Sequence, residues 1–71
     1  MNLGERLKKL RKARGLTQDM LADRSGISSA HLSHYECNRQ VPTLENFIKL
    51  KIGMGVTWDS MFLFDLKTMD E

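Results

Sequence analysis

Thr17-Gln18-Asp19-Met20-Leu21-Ala22-Asp23-Arg24-Ser25-Gly26-Ile27-Ser28-Ser29-Ala30-His31-Leu32-Ser33-His34-Tyr35-Glu36, preceded by Gly15 and Leu16, is the stretch on which the fold turns. Two short helical patterns meet at Gly26. Each begins with a hydroxyl residue, Thr17 or Ser28, able to accept a hydrogen bond from a first-turn amide. Ala22 sits where the two helices would cross, and a larger side chain there would push their axes apart. Gly26 follows four residues later, where a sharp turn predicts a positive φ. Leu21, Ile27, Leu32 and Tyr35 supply apolar contacts beneath the corner, which leaves Ser29, Ala30, His31, Ser33 and His34 facing outward.

This is the outline of a helix-turn-helix, whose second helix enters the DNA major groove. A helix of that kind needs an apolar underside and small or polar residues at its exposed N-terminal end. Each signal alone is weak. Small residue, glycine and hydrophobics in the correct order, with two caps, are strong together.

Working outward, the spacing predicts five helices and no strand. The first runs from about Leu3 to Arg14, capped by Asn2 with Glu5 at the reciprocal capping-box position. Its apolar stripe is Leu3, Leu7 and Leu10, and Gly15 ends it. The second spans about residues 18–25 and the third about residues 29–36. Asn38 falls where a left-handed residue is expected, a conformation asparagine tolerates. Thr43, behind Pro42, caps a fourth helix that carries Leu44, Phe47, Ile48 and Leu50 to about Met54. Gly55 stops it and Thr57 caps a fifth, with Trp58 and Met61 expected inward.

Seventy-one residues with 41% hydrophobic and 28% charged residues suit one small packed domain. We assign residues 1–64 to it and residues 65–71 to a short acidic tail. No apolar run approaches the ~20 residues of a membrane span, and a cytoplasmic location with no membrane partner is the expectation. Cys37 is the only cysteine, so no internal disulfide is possible. Charge is lopsided. Residues 1–14 hold six cations against Glu5, and residues 57–71 hold four carboxylates against Lys67. A basic N-terminal end suits phosphate, or simply solvates a helix face.

These residues resemble the Cro/repressor helix-turn-helix family, known from phage repressors and small bacterial regulators. The resemblance covers roughly residues 3–62. It rests on Gly15-Leu16-Thr17-Gln18, Leu21-Ala22, Ser25-Gly26-Ile27-Ser28, Leu32, Tyr35-Glu36, Asn38 to Leu44, and Gly55-Val56-Thr57. It implies an all-α, compact five-helix, lambda-repressor-like domain that binds double-stranded DNA as a transcriptional regulator. It further implies base reading by Ser29, Ala30, His31 and His34. Phosphate binding falls to Gln18, Ser28, Ser33, Arg39, Gln40 and Thr43, and a structural ion pair to Arg11 and Glu36. No cofactor is implied. The departures are Asn38 for the usual glycine, Cys37 for a polar residue, Lys51 for a small apolar one, and Gly53, which weakens the end of helix four.

One such domain buries little surface for tight specific binding, so a homodimer on a palindrome is expected. Phe62, Phe64 and Leu66 are the candidate dimer surface. Asp19 and Asp23 either touch RNA polymerase or are solvated surface. A phage or plasmid repressor and a restriction–modification controller both fit so small a regulator. His31, His34 and Cys37 at i, i+3, i+6 spread about 120° around a helix and lack a fourth ligand, so no metal site is expected. An antitoxin or adaptor gripping protein is the alternative, although it would expose apolar anchors where Ser28–His34 is mostly small and polar. No nucleophile, base and orienter fall together, which argues against an enzyme.

Overall fold

The computed structural model describes residues 2–61, and among them there is no strand. Four helices follow in order: α1 Leu3–Ala13, α2 Gln18–Ser25, α3 Ser29–Glu36 and α4 Leu44–Met54. Helical backbone resumes at 58–61. Phe62, Phe64, Leu66 and the acidic segment 65–71 lie outside the described residues. No helix among the described residues is long and apolar enough to cross a membrane.

Each helix starts where a side-chain oxygen satisfies an orphan amide. Asn2, Thr17, Ser28 and Thr43 accept from the amides of Glu5, Met20, His31 and Asn46 at 2.9–3.2 Å. Thr57 accepts from Ser60 in the same way at 3.1 Å. Gly15, Gly26, Asn38 and Gly55 all have positive φ, between 60° and 75°. The first helix ends one residue before the expected Arg14, which is its C-cap. Glu5 does not complete a reciprocal capping box with the Asn2 backbone. Its carboxylate instead accepts from the Asn2 side-chain amide at 3.2 Å.

The core is built from Leu7 and Leu10 of α1, Leu16, Leu21 of α2, Ile27, Leu32 and Tyr35 of α3, Leu50 and Met54 of α4, and Met61. Ala22 packs against its edge. Helix α2 lies against both α3 and α4, while α1 lies against α3.

Two residues of α4 depart from the expected apolar face. Leu44 is 74% exposed and Ile48 38% exposed. Ile48 lies about 160° around the helix from Leu50, so the two cannot share one buried stripe. The core takes the Leu50–Met54 side because Gly53 is there. A Cβ at 53 would lie 2.9 Å from Ser25 Cβ and 3.1 Å from Leu21 Cδ1. Gly53 therefore sets the close approach of α2 and α4, rather than merely loosening a helix end. Trp58 is also placed differently from the inward position expected, being 41% exposed. Its ring stacks on Phe47 at 5.9 Å between centroids, and Lys51 Nζ sits 5.2 Å above it. That contact explains a lysine in a half-buried position, since its stem runs along an aromatic face.

A second close approach docks α1 onto the end of α3. A Cβ on Gly4 would fall 2.6 Å from the carbonyl oxygens of both Tyr35 and Glu36. The Gly4 N–H donates to Asn38 Oδ1 at 3.0 Å, and Asn38 Nδ2 donates to Asn2 Oδ1 at 2.9 Å. Asn38 thus takes the left-handed turn of a glycine and also joins two chain segments.

Gly53→Ala gains about 1 kcal/mol of helix propensity but must force α2 and α4 apart. We expect urea unfolding to show a net loss of roughly 1–3 kcal/mol. Gly4→Ala meets backbone on two sides and should cost more. A Gly53→Ala variant more stable than the parent would show that the α2–α4 contact yields easily.

Candidate nucleic-acid interface

The corner between α2 and α3 fixes what α3 can present. The Gly26 N–H donates to the Ala22 carbonyl at 2.9 Å with φ 75°, which turns the chain sharply. Ile27, 5% exposed, then anchors the turn in the core. Ser28 caps the next helix through the His31 amide at 3.2 Å. The consequence is an exposed first turn of Ser28, Ser29, Ala30 and His31 above a buried underside of Leu32 and Tyr35. Ser33 and His34, one turn further on, are half-buried.

Helix α3 is held at its far end by a buried ion pair. Arg11 Nε donates to Glu36 Oε2 at 2.7 Å and Arg11 Nη2 to Oε1 at 3.1 Å, a two-pronged match of guanidinium and carboxylate. Both side chains are less than a tenth exposed. A third donor is used as well: Arg11 Nη1 donates to the Leu16 carbonyl at 2.8 Å. Gln18, the first residue of α2, donates from Nε2 to Glu36 Oε1 at 3.1 Å. Its side-chain amide nitrogen is thus engaged within the protein, while its backbone amide stands at the positive N-terminal end of α2.

The loop after α3 carries Arg39, Gln40 and Thr43, all exposed. The amides of Arg39 and Gln40 both donate to the His34 carbonyl, at 2.9 and 3.4 Å. One carbonyl therefore ties this loop to the end of α3. Cys37 is exposed, and among the described residues no three His, Cys, Asp or Glu side chains gather where they could hold a metal ion.

Two functional-site features escaped the reading of spacing alone. Arg11 grips the Leu16 carbonyl in addition to Glu36, which no side-chain pattern reports. Tyr35 Oη accepts from Asn46 Nδ2 of α4 at 2.8 Å. A hint of the latter was available, because Asn46 occupies the third helical position where a capping box would have Glu or Gln.

The model of the helix-turn-helix family matches residues 7–60. The transcriptional repressor RstR of the cryptic phage CTXphi in Vibrio cholerae is 36% identical over 61 residues, which cover 86% of this chain and 54% of that protein. The immunity repressor of Bacillus phage phi105 is 34% identical over 56 residues, covering 79% of this chain and 39% of the repressor. The chain thus spans about half the length of these relatives, or less. Among solved structures, the restriction–modification controller protein C.AhdI from Aeromonas hydrophila superposes with a TM-score of 0.79. It is 32% identical, with 84% of this chain and 91% of that one covered.

Removing one charge of the buried pair strands the other. Glu36→Gln should cost about 3–5 kcal/mol, a large part of what a small domain possesses. Thermal unfolding followed by circular dichroism should show the loss of most folded protein near ambient temperature. Arg11→Met combined with Glu36→Leu should recover part of it, the Leu16 carbonyl staying unpaired. A double variant no more stable than Glu36→Gln alone would refute the stranded charge as the cause.

Proposed function

The chain belongs to the helix-turn-helix family of DNA-binding regulators, and from that premise we propose that it is a sequence-specific transcriptional regulator. In this reading it acts as a homodimer on a palindromic operator, entering the major groove with α3. The observation that carries the reading is the exposed first turn of α3, where Ser28, Ser29, Ala30 and His31 stand clear of the domain. The ion pair and the Gln18 contact brace the opposite end of the same helix.

Mechanistically, phosphate contacts fix position and base contacts select sequence. Ser28, Ser33, the N-terminal end of α2 at Gln18, and Arg39, Gln40 and Thr43 would grip phosphates on either side of the groove. The loop residues are exposed and the helix end offers free amides, as such contacts require. Ser29, His31 and His34 would hydrogen-bond base edges, and Ala30 would pack on a thymine methyl. The similarity to phage repressors and a restriction–modification controller supports regulation of that kind. Phe62, Phe64 and Leu66 remain our proposal for the surface joining two copies. With half-sites ~10 bp apart, or a multiple of that, both α3 helices would face the same side of the duplex.

Selection from a randomised pool of double-stranded DNA tests this directly. We expect a two-fold symmetric consensus with half-sites about one helical turn apart. Folded protein that enriches nothing would turn the assignment toward a protein-gripping adaptor. On the recovered sequence, Arg39→Ala should weaken binding to every duplex alike and reduce the slope of log affinity against log salt by about one. Weakening confined to one sequence would instead make Arg39 a base contact.

A further inference from the structure

His31 and Tyr35 lie one turn apart on α3, at i and i+4, where side chains of one helix face meet. Their rings are nearly parallel, with 20° between planes and 6.4 Å between centroids, an offset stack. Tyr35 is 5% exposed, so the surrounding core fixes its ring, whereas His31 is exposed. The Tyr35 hydroxyl is fixed too, accepting from Asn46 Nδ2 at 2.8 Å. Asn46 is itself placed by α4: its amide donates to Thr43 Oγ1 at 3.2 Å as part of the helix cap.

These contacts form a continuous path from the cap of α4, through Asn46 and the Tyr35 ring, to the imidazole of His31. We propose that Tyr35 and Asn46 are specificity-positioning residues that set the pose of His31 over base edges, an inference resting on His31 as a base reader. An exposed histidine has two freely sampled side-chain torsions. Stacking on a ring that cannot move restricts them, and a hydrogen bond to a base edge is sensitive to small errors in aim. Because the backbone N–H of the same asparagine donates to Thr43 Oγ1 while its side-chain amide holds Tyr35, the arrangement also sets the base-reading ring in register with a residue at the proposed phosphate contacts.

The test uses the full chain and the duplex recovered from the random pool, together with its single-base replacements and an unrelated duplex of equal length. Tyr35→Phe keeps the ring and deletes the hydroxyl, and Asn46→Ala deletes the donor. His31→Ala and the His31→Ala/Tyr35→Phe double variant complete a cycle. Unfolding curves set a temperature at which every variant is folded, and binding is measured there. We expect Tyr35→Phe and Asn46→Ala to reduce discrimination about three- to tenfold, only at the base pairs whose reading His31→Ala also abolishes. Affinity for the unrelated duplex should stay within about twofold. Tyr35→Phe should add nothing once His31 is alanine, because coupled residues are not additive. Uniform loss on all duplexes, or losses that add in the double variant, would overturn the positioning role and leave His31 as a base reader. A His31→Ala variant with unchanged sequence preference would instead remove the base-reading premise, and the proposal with it.

Discussion

The buried pair of Arg11 and Glu36 is the interaction on which the rest depends. It joins α1 to the last residue of α3, and a third donor of the guanidinium, Nη1, reaches the Leu16 carbonyl in the loop between α1 and α2. Gln18 brings the start of α2 to the same carboxylate. Three helices and a loop therefore meet at one carboxylate and one guanidinium, both withdrawn from water. Desolvating two charges costs several kcal/mol each and is recovered only with near-complete hydrogen bonding. Here the match supplies both carboxylate oxygens and three donors of the arginine.

Around that centre, the domain relies on places where no side chain fits. Gly4 lets the positive start of α1 abut the carbonyl-bearing end of α3, and Gly53 lets α4 press on α2. Chain segments this close leave little freedom for helices to slide. Asn38 adds a polar latch at the first of these contacts. The α2–α3 corner, whose exposed turn is the candidate DNA surface, is thereby immobilised from several sides by residues that lie away from that turn.

Much of this was legible in the residues because it is local. A cap, a glycine at positive φ and an apolar underside are encoded within a few positions, and Thr17, Gly26, Ser28 and Thr43 each act within their own turn. The exposure of Ser29, Ala30 and His31 follows from the same periodicity. Long-range complementarity left weaker traces. Helix α4 carries apolar residues on opposite faces, and only the position of α2 decides that Leu50 is inside while Leu44 and Ile48 are outside. Trp58 looks like a core residue by composition, yet Phe47 and Lys51 give it a partner on the surface. Gly53 reads as a weak helix end until the atoms of Ser25 and Leu21 are seen beside it. The Tyr35–Asn46 bond spans a loop, so nothing in either residue's neighbourhood names the other.

Helices α2 and α3 have eight residues each, too few to persist alone in water. The candidate DNA surface therefore exists only while the whole domain is folded, and its backbone amides should open to solvent exchange in the same cooperative event as the core. Inherited variation in such a domain would then sort into two kinds. Changes at the carboxylate–guanidinium centre or the glycine contacts would lower the amount of competent protein in a cell without retargeting it. If the exposed turn of α3 reads bases as proposed, changes there would alter which sequences are occupied while leaving abundance intact.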